Sequence, residues 1–199
     1  MRIRRLLLLI AAALALSGTL VAQEAEWRID PNHSAAYFSV RHLMISTVRG
    51  EFGGINGTVR YDPKRPAAAA VEATIDCRTL NTGVAKRDEQ MKGPDFFDTK
   101  KYPNMVFRSK TVQPAGPDKL KVVGDLTINN VTREVALDVD GPSQTVKDAQ
   151  GREKIGLNAT TKISRKDFGI IWNEILESGG VAVADQVTIT LDIELIRQR

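Results

Sequence analysis

Cys77 is the only cysteine in the 199 residues, so no internal disulfide can form. A free thiol in an oxidising compartment survives best when it is buried. Cys77 follows Val71, Ala73 and Ile75 on the apolar side of an alternating stretch, and it reads as a core or lining residue rather than a nucleophile. Histidine is almost as scarce, with His33 and His42 the two copies. Their odd separation puts them on opposite faces of a regular strand. Without a His/Cys cluster, no metal and no other cofactor is expected. Phosphate loops are missing too: neither Gly53-Gly54 nor Gly179-Gly180 stands between a strand and a helix with Lys-Ser/Thr behind it. No segment repeats at a fixed period, and none has the composition of a flexible linker.

Excess charge of one sign is also lacking. The formal net charge of +4 includes Arg2, Arg4 and Arg5, and the first 22 residues hold no acid, which leaves about +1 for the rest. The remaining basic residues are scattered among acids, which excludes the concentrated basic face that nucleic acid requires. Long apolar runs are confined to Leu6–Leu16. Behind a basic front and ahead of smaller residues, that run has the layout of a secretory signal peptide over 1–22, with cleavage expected between residues 22 and 25. Cysteine is absent directly after it, so no lipoprotein anchor is expected. The domain then runs over 26–199, a length suited to one core.

What the chain has in quantity is alternation. Ile55, Gly57, Val59 and Tyr61 share one face against Asn56, Thr58 and Arg60. Leu120, Val122, Gly124, Leu126 and Ile128 form another such face, and Asn129-Asn130 reads as a tight turn into Val135, Leu137 and Val139. Ile155 to Ile163 and Val187 to Leu195 repeat the pattern. About eight amphipathic strands emerge, separated by prolines and glycines, each with one wet and one dry face. A two-layer sandwich and a closed barrel both satisfy this pattern. Small inward residues (Gly57, Ala73, Gly124, Ala159) favour a barrel with internal space, although small residues also relieve crowding where strands bend. Thr82 to Met91 has helical spacing with Asn81 or Thr82 placed as a cap, and Phe168 to Leu176 reads as an apolar loop or short helix.

Separated blocks of the chain resemble the YceI-like family of secreted lipid- and polyisoprenoid-binding barrels. They are Trp27-x-Ile29-Asp30 with His33-Ser34, Phe38-Ser39-Val40-Arg41-His42, Val48-Arg49-Gly50-x-Phe52 and Thr82 with Arg87-Asp88. Asp95-Phe96-Phe97, Tyr102-Pro103-x-Met105-x-Phe107, Gly124-Asp125-Leu126-Thr127-Ile128 and Ser164-Arg165-x-Asp167-Phe168-Gly169 complete the series. The resemblance implies an all-β, lipocalin-like antiparallel barrel of about eight strands with one or two short helices. It also implies a periplasmic location and a long isoprenoid held in the pore, without naming a head group. The leading functional expectation is therefore a periplasmic binding or carrier protein for an isoprenoid-type lipid, such as a quinone or a polyprenyl phosphate, held in an apolar pore.

On the apolar parity of their strands, Phe38, Val40, Ile75, Phe107, Leu126, Ile128, Leu137 and Ile163 are expected to face that pore. His42, Arg87 and Asp88 are the candidates for a lipid head group: His42 by its place near a strand end, and an arginine for its bidentate reach to a diphosphate. Each has a plainer reading, a core histidine for His42 and a structural pair for Arg87-Asp88. Arg165 and Asp167 are weighed the same way. Two other functions compete: an enzyme acting on such a lipid, with His42 or Arg87-Asp88 as acid and base, and a filled-core interaction or stress barrel serving a membrane redox partner. No base–nucleophile constellation supports catalysis, and the sequence sets no oligomeric state.

Overall fold

The computed structural model describes residues 25–177 and 179–198, so the expected signal peptide at 1–22 lies outside the described residues. Among the described residues eleven strands occur: β1 Ala25–Ile29, β2 Ala35–His42, β3 Ser46–Phe52, β4 Ile55–Tyr61, β5 Ala70–Asp76, β6 Asn104–Pro114, β7 Lys119–Ile128, β8 Val131–Asp140, β9 Val146–Lys147, β10 Glu153–Ser164 and β11 Val183–Arg197. Among the described residues one α-helix, α1, spans Ala85–Lys92, and three short 3-10 turns lie in the connections at Pro66–Ala68, Cys77–Thr79 and Arg165–Phe168. Eight strands close a ring in the order β11, β1, β4, β5, β6, β7, β8, β10 and back to β11. Every pairing is antiparallel. The seam that closes the ring runs without a register break from Lys154↔Ile196 to Ser164↔Gln186.

Beyond the count of eight, β11 is long enough to serve two strands along its other edge. Its C-terminal end pairs with β1 (Ile29↔Leu195), and the part before it pairs with β2 (Ala35↔Asp192). The β2–β3 hairpin therefore extends the wall past the ring. Its outer edge is finished by a bridge in which the Glu51 and Asn81 amides and carbonyls bond reciprocally at 2.9 and 3.0 Å.

Local chemistry explains the turns. Asn129 and Asn130 both take positive φ (51° and 61°), as a two-residue hairpin between Ile128 and Val131 demands and asparagine tolerates. The small inward residues divide into two kinds. Ala73 and Ala159 line internal space, whereas a Cβ on Gly124 would lie 2.4 Å from the Arg108 carbonyl oxygen and 2.6 Å from the Phe107 ring. Gly57 is as tight, at 2.2 Å from the Glu72 oxygen. The glycines thus answer to close backbone approach, which at Gly124 occurs beside the register shift between Ser109 and Thr111, and not to pore volume.

Helix α1 starts three residues later than the sequence pattern places it, and neither Asn81 nor Thr82 caps it. Val84 holds the cap position without a side-chain bond. Instead Asp88 reaches back and accepts from the Thr82 amide (2.8 Å) and hydroxyl (2.5 Å). The helix buries no residue; what fixes the 77–103 segment is its aromatic tail. Phe97 meets Phe52 edge-on at 5.2 Å, Phe96 packs against Trp172 at 5.2 Å, and Asn129 donates to the Phe96 carbonyl. This segment therefore lies across one end of the barrel. Residues after Ser164 form a 3-10 turn, Arg165–Phe168, and then an irregular loop.

Candidate functional site

Because each strand sends alternate residues inward, closing the ring gathers the apolar faces around a common axis. They surround a cavity of about 250 Å³. Apart from Thr161 and Arg165, every lining residue is aliphatic, aromatic, methionine or proline. Phe38, Val40, Ile75, Phe107, Leu126, Ile128, Leu137 and Ile163 all stand in this wall. Parity placed them there: seven sit an even number of positions from a buried neighbour on their strands, and Ile75 keeps the parity of Val71 and Ala73 on β5, which line the same wall.

His42, Arg87 and Asp88 do not line the cavity. His42 keeps the parity of Phe38 and Val40 but lies at the last position of β2, where its carbonyl accepts from the Ile45 amide in the turn. Arg87 and Asp88 converge on Thr82. The guanidinium donates to the Thr82 hydroxyl (2.8 Å) and carbonyl (2.9 Å), while the carboxylate takes the hydroxyl and the amide. A Cβ on Gly50 would meet both the Phe38 ring and the Thr82 methyl, so the three residues fasten this loop over β3.

The end of the barrel bearing the 77–103 segment is packed by Phe96, Phe168 and Ile170, each at most 9% exposed. Arg165 sits there at 5% exposure. Its guanidinium donates to the carbonyls of Ala184 (3.0 Å), Ile170 (2.8 Å), Trp172 (2.7 Å) and Val183 (3.3 Å), and to the Asp185 carboxylate (3.4 Å). Burial pulls its pKa below the usual arginine value, against the opposing pull of Asp185. The sequence pairs Arg165 with Asp167; the fold pairs it with Asp185 and with the loop that follows. Cys77 is 2% exposed in a 3-10 turn just after β5, its amide bonded to the Pro103 carbonyl. Burial pushes its thiol up to about 11, so it is neutral at ordinary pH.

On the outside of the wall, where β1 hands over to β2, lies a charged cluster. Lys154 Nζ is 2.5 Å from Glu194 and 3.3 Å from Asp30, and His33 Nδ1 is 3.0 Å from Asp30. Asp30, His33 and Glu194 are close enough together to suit a cation, but the Lys154 ammonium already supplies the positive charge among them. Burial pushes the Asp30 carboxyl up, yet bonds from His33, the Asn32 amide and Lys154 outweigh it and hold the pKa below its ordinary value. This network ties the first turn to β10 and β11.

The opposite end of the barrel holds a second, polar chamber, lined by Trp27, Tyr61, Pro63, Asp118, the 140–145 loop and the start of β10. Tyr61, Pro142, Ile155 and Leu157 belong to both walls, so the chamber adjoins the apolar cavity. Sequence reasoning offers none of its polar residues as a site. Asp118 and residues 143–145 come from loops, and Trp27, Tyr61, Asp140 and Asn158 from four strands, which only the closed barrel brings together.

Residues 27–195 match the sequence model of the YceI-like domain. The chain is similar to the protein YceI of Escherichia coli O157:H7, with 38% identity over 77% of this chain and 80% of that one. The crystal structure of BcnA from Burkholderia cenocepacia superposes with a TM-score of 0.71 at 25% identity, over 83% of this chain and 98% of that one. A domain from Saccharophagus degradans described as polyisoprenoid binding shares the fold with a TM-score of 0.62 at 16% identity, over 88% of this chain and 100% of that one.

Proposed function

Since the chain belongs to the YceI-like domain family, we propose that it is a periplasmic carrier that holds the tail of an isoprenoid-type lipid inside its barrel. The observation that carries this reading is the composition of the cavity wall: Arg165 is its one charged residue, and its guanidinium is bonded to carbonyls at the packed end. A polyprenyl chain asks for little else, because each buried methylene contributes about 0.8 kcal/mol. A few isoprene units thereby offset the freedom lost on binding. The polyisoprenoid-binding description of a domain with this fold supports the same choice, and the leader expected at 1–22 supports the compartment.

Binding without turnover fits the wall better than catalysis. Among the described residues it carries no carboxylate, histidine, lysine or cysteine, so no acid–base pair faces a bound chain. Phe38, Val40, Ile75, Phe107, Leu126, Ile128, Leu137 and Ile163 are the residues that would touch the tail. The test is lipid co-purification by native mass spectrometry from the periplasm. Leu126→Asp places a charge in the wall, and Thr74→Asp places one on the outer parity of β5. The first is expected to lose the lipid and the second to keep it. Equal retention by both folded variants would sink the pore assignment.

A further inference from the structure

A lipid tail bound for the cavity has to cross a wall of paired strands, and that wall is not equally closed all round. Between β8 and β10 the ladder holds only from Asn158↔Asp140 to Thr160↔Asp138. Beyond it, residues 131–137 of β8 and 161–164 of β10 do not pair with each other, although both stretches are paired along their other sides. Strand edges parted in this way leave backbone groups to water. Val135, Leu137, Thr161 and Ile163 border the slot and line the cavity, and all four stay half-buried. At the handover from β1 to β2, where the ladder also lapses, Ile29, Ala36, Phe52 and Ile55 are each at most 4% exposed and seal the wall. Widening the β8–β10 slot would break at most three residue pairs, so the wall can part here without unzipping a long ladder.

The foot of the slot is the 3-10 turn Arg165–Phe168 with Gly169, where an added Cβ would lie 4.0 Å from the Val131 side chain. From there the chain runs into an exposed apolar rim. Among the described residues the three most exposed large apolar side chains are Ile175 (82%), Ile45 (78%) and Ile171 (70%). All three belong to this end of the barrel. Ile175 bridges to Val181, and the Leu43 amide bonds the Ala182 carbonyl at 2.7 Å, which joins the β2–β3 turn to the same rim. Met44 and Val181 are exposed there as well. Clustered apolar exposure of this kind marks a contact surface. Its side chains stand on separate loop tips, which suits a fluid apolar phase better than a folded partner, whose interface needs a continuous shaped patch. Charges on the rim are mixed: Arg41 donates to the Met44 carbonyl, Lys166 pairs with Asp185 at 2.9 Å, and Glu174 and Glu177 lie among the isoleucines. That mixture fits a zwitterionic bilayer and offers an anionic one no cationic patch.

We propose that the rim formed by the β2–β3 turn, residues 171–175 and Val181 seats on a bilayer surface, and that a lipid tail passes sideways between that bilayer and the cavity through the β8–β10 slot. The cargo is the one that the pore reading supplies, and the slot rests on that reading; seating of the rim is measurable without any cargo. Burial of aliphatic tips in the interface drives the seating, so salt has little effect on it.

Sedimentation with phosphatidylcholine vesicles measures docking, and transfer of a tritiated polyprenol from such vesicles to the protein measures passage. The protein is expected to bind these vesicles with little dependence on salt. The triple variant Ile45→Ser, Ile171→Ser, Ile175→Ser, with folding checked by circular dichroism, is expected to weaken vesicle binding about tenfold or more. It should slow transfer in step, yet retain polyprenol enclosed during refolding as well as the unaltered protein does. For the slot, extending the β8–β10 register sets Ala136 opposite Lys162 on the outer face. Ala136→Cys with Lys162→Cys, in a Cys77→Ala background and bridged by a disulfide-containing bismaleimide, is expected to dock normally and to stop transfer until a reductant cuts the bridge. The same bridge at Thr127→Cys with Thr132→Cys, across a ladder already paired, should leave transfer unchanged. Vesicle binding that survives the triple substitution, or that requires anionic lipid, overturns the rim. So does self-association in sedimentation velocity that the triple substitution abolishes while vesicles are ignored, which would make the rim a protein interface. Transfer at full rate with the slot bridged overturns the sideways route and leaves the pore standing. Failure to enclose the polyprenol even on refolding overturns the route together with the pore, whereas vesicle binding decides the rim by itself.

Discussion

Replacing Arg165 with methionine is the sharpest perturbation of the barrel's packed end. The side chain is 5% exposed, and its donors serve the carbonyls of Ala184, Ile170, Trp172 and Val183 as well as the Asp185 carboxylate. Val183 has a second donor in the Asn173 side-chain amide at 2.7 Å, so three carbonyls depend on the guanidinium alone among these bonds. Each costs roughly 1–3 kcal/mol when left unsatisfied in a dry site. Methionine of similar length recovers part of that through apolar contact. The expected net loss is about 3–5 kcal/mol, the range typical of removing one partner from a buried charged network. For a domain of this size that corresponds to a fall in Tm of roughly 6–20 °C. Urea unfolding followed by circular dichroism measures it, with the m-value monitored for a change in the denatured state. Arg165→Lys should fall between the two, since an ammonium cannot span the same carbonyls as a planar fork. A loss below about 1 kcal/mol for Arg165→Met at unchanged m would refute the view that this residue holds the 165–185 loop to the barrel.

Other outcomes follow from the same geometry. Gly124→Ala should destabilise the protein by about 1–3 kcal/mol in chemical denaturation, because its Cβ would meet the Arg108 backbone at 2.4 Å; a neutral result would show that β6 can shift. The Asp30 carboxyl is held below its ordinary pKa, so its contribution is present above the unfolded-state value near 4 and is lost as pH falls through the folded value. Asp30→Asn should accordingly flatten the fall in stability below about pH 4, as read from Tm against pH. Cys77, with its thiol raised to about 11, should resist alkylation at pH about 8 in the folded protein and react promptly after denaturation. N-terminal sequencing of the periplasmic protein should begin shortly after Ala22; recovery of the uncut leader in the membrane would contradict the secreted reading.

The barrel was legible because strands have a side-chain period of two. Ile155, Leu157, Ala159, Thr161 and Ile163 announce one wall in a single line of text, and the fold uses all five to line the cavity. The same period fails at Gly57 and Gly124. Their inward parity is real, but what demands glycine is the neighbouring backbone, and no pattern on their own strands records that. Registers between distant strands are equally silent, so the sharing of β11 by β1 and β2 could not be read from either segment. Arg87-Asp88 read either as a head-group candidate or as a structural pair, and both side chains converge on Thr82, a residue without charge. Trp27 hides best of all. In Trp27-x-Ile29 it passes for another alternating apolar residue, and its indole nitrogen, buried without a hydrogen-bond partner, emerges only once its surroundings are placed.

Because β11 touches β1, β2 and β10 at once, the wall has a keystone that is translated after all of its neighbours. Until Val183–Arg197 leaves the ribosome, three strands have open edges and the apolar faces have nothing to enclose. The pairings it must make reach back across almost the whole domain, and such long-range closures fold slowly. Exposed strand edges invite pairing between chains in the meantime. A nascent chain of this protein therefore has a defined interval of vulnerability, during which a chaperone that masks strand edges would matter more than one that binds helices. Any ligand destined for the interior can be enclosed only at the end of that interval, or enter the finished barrel later.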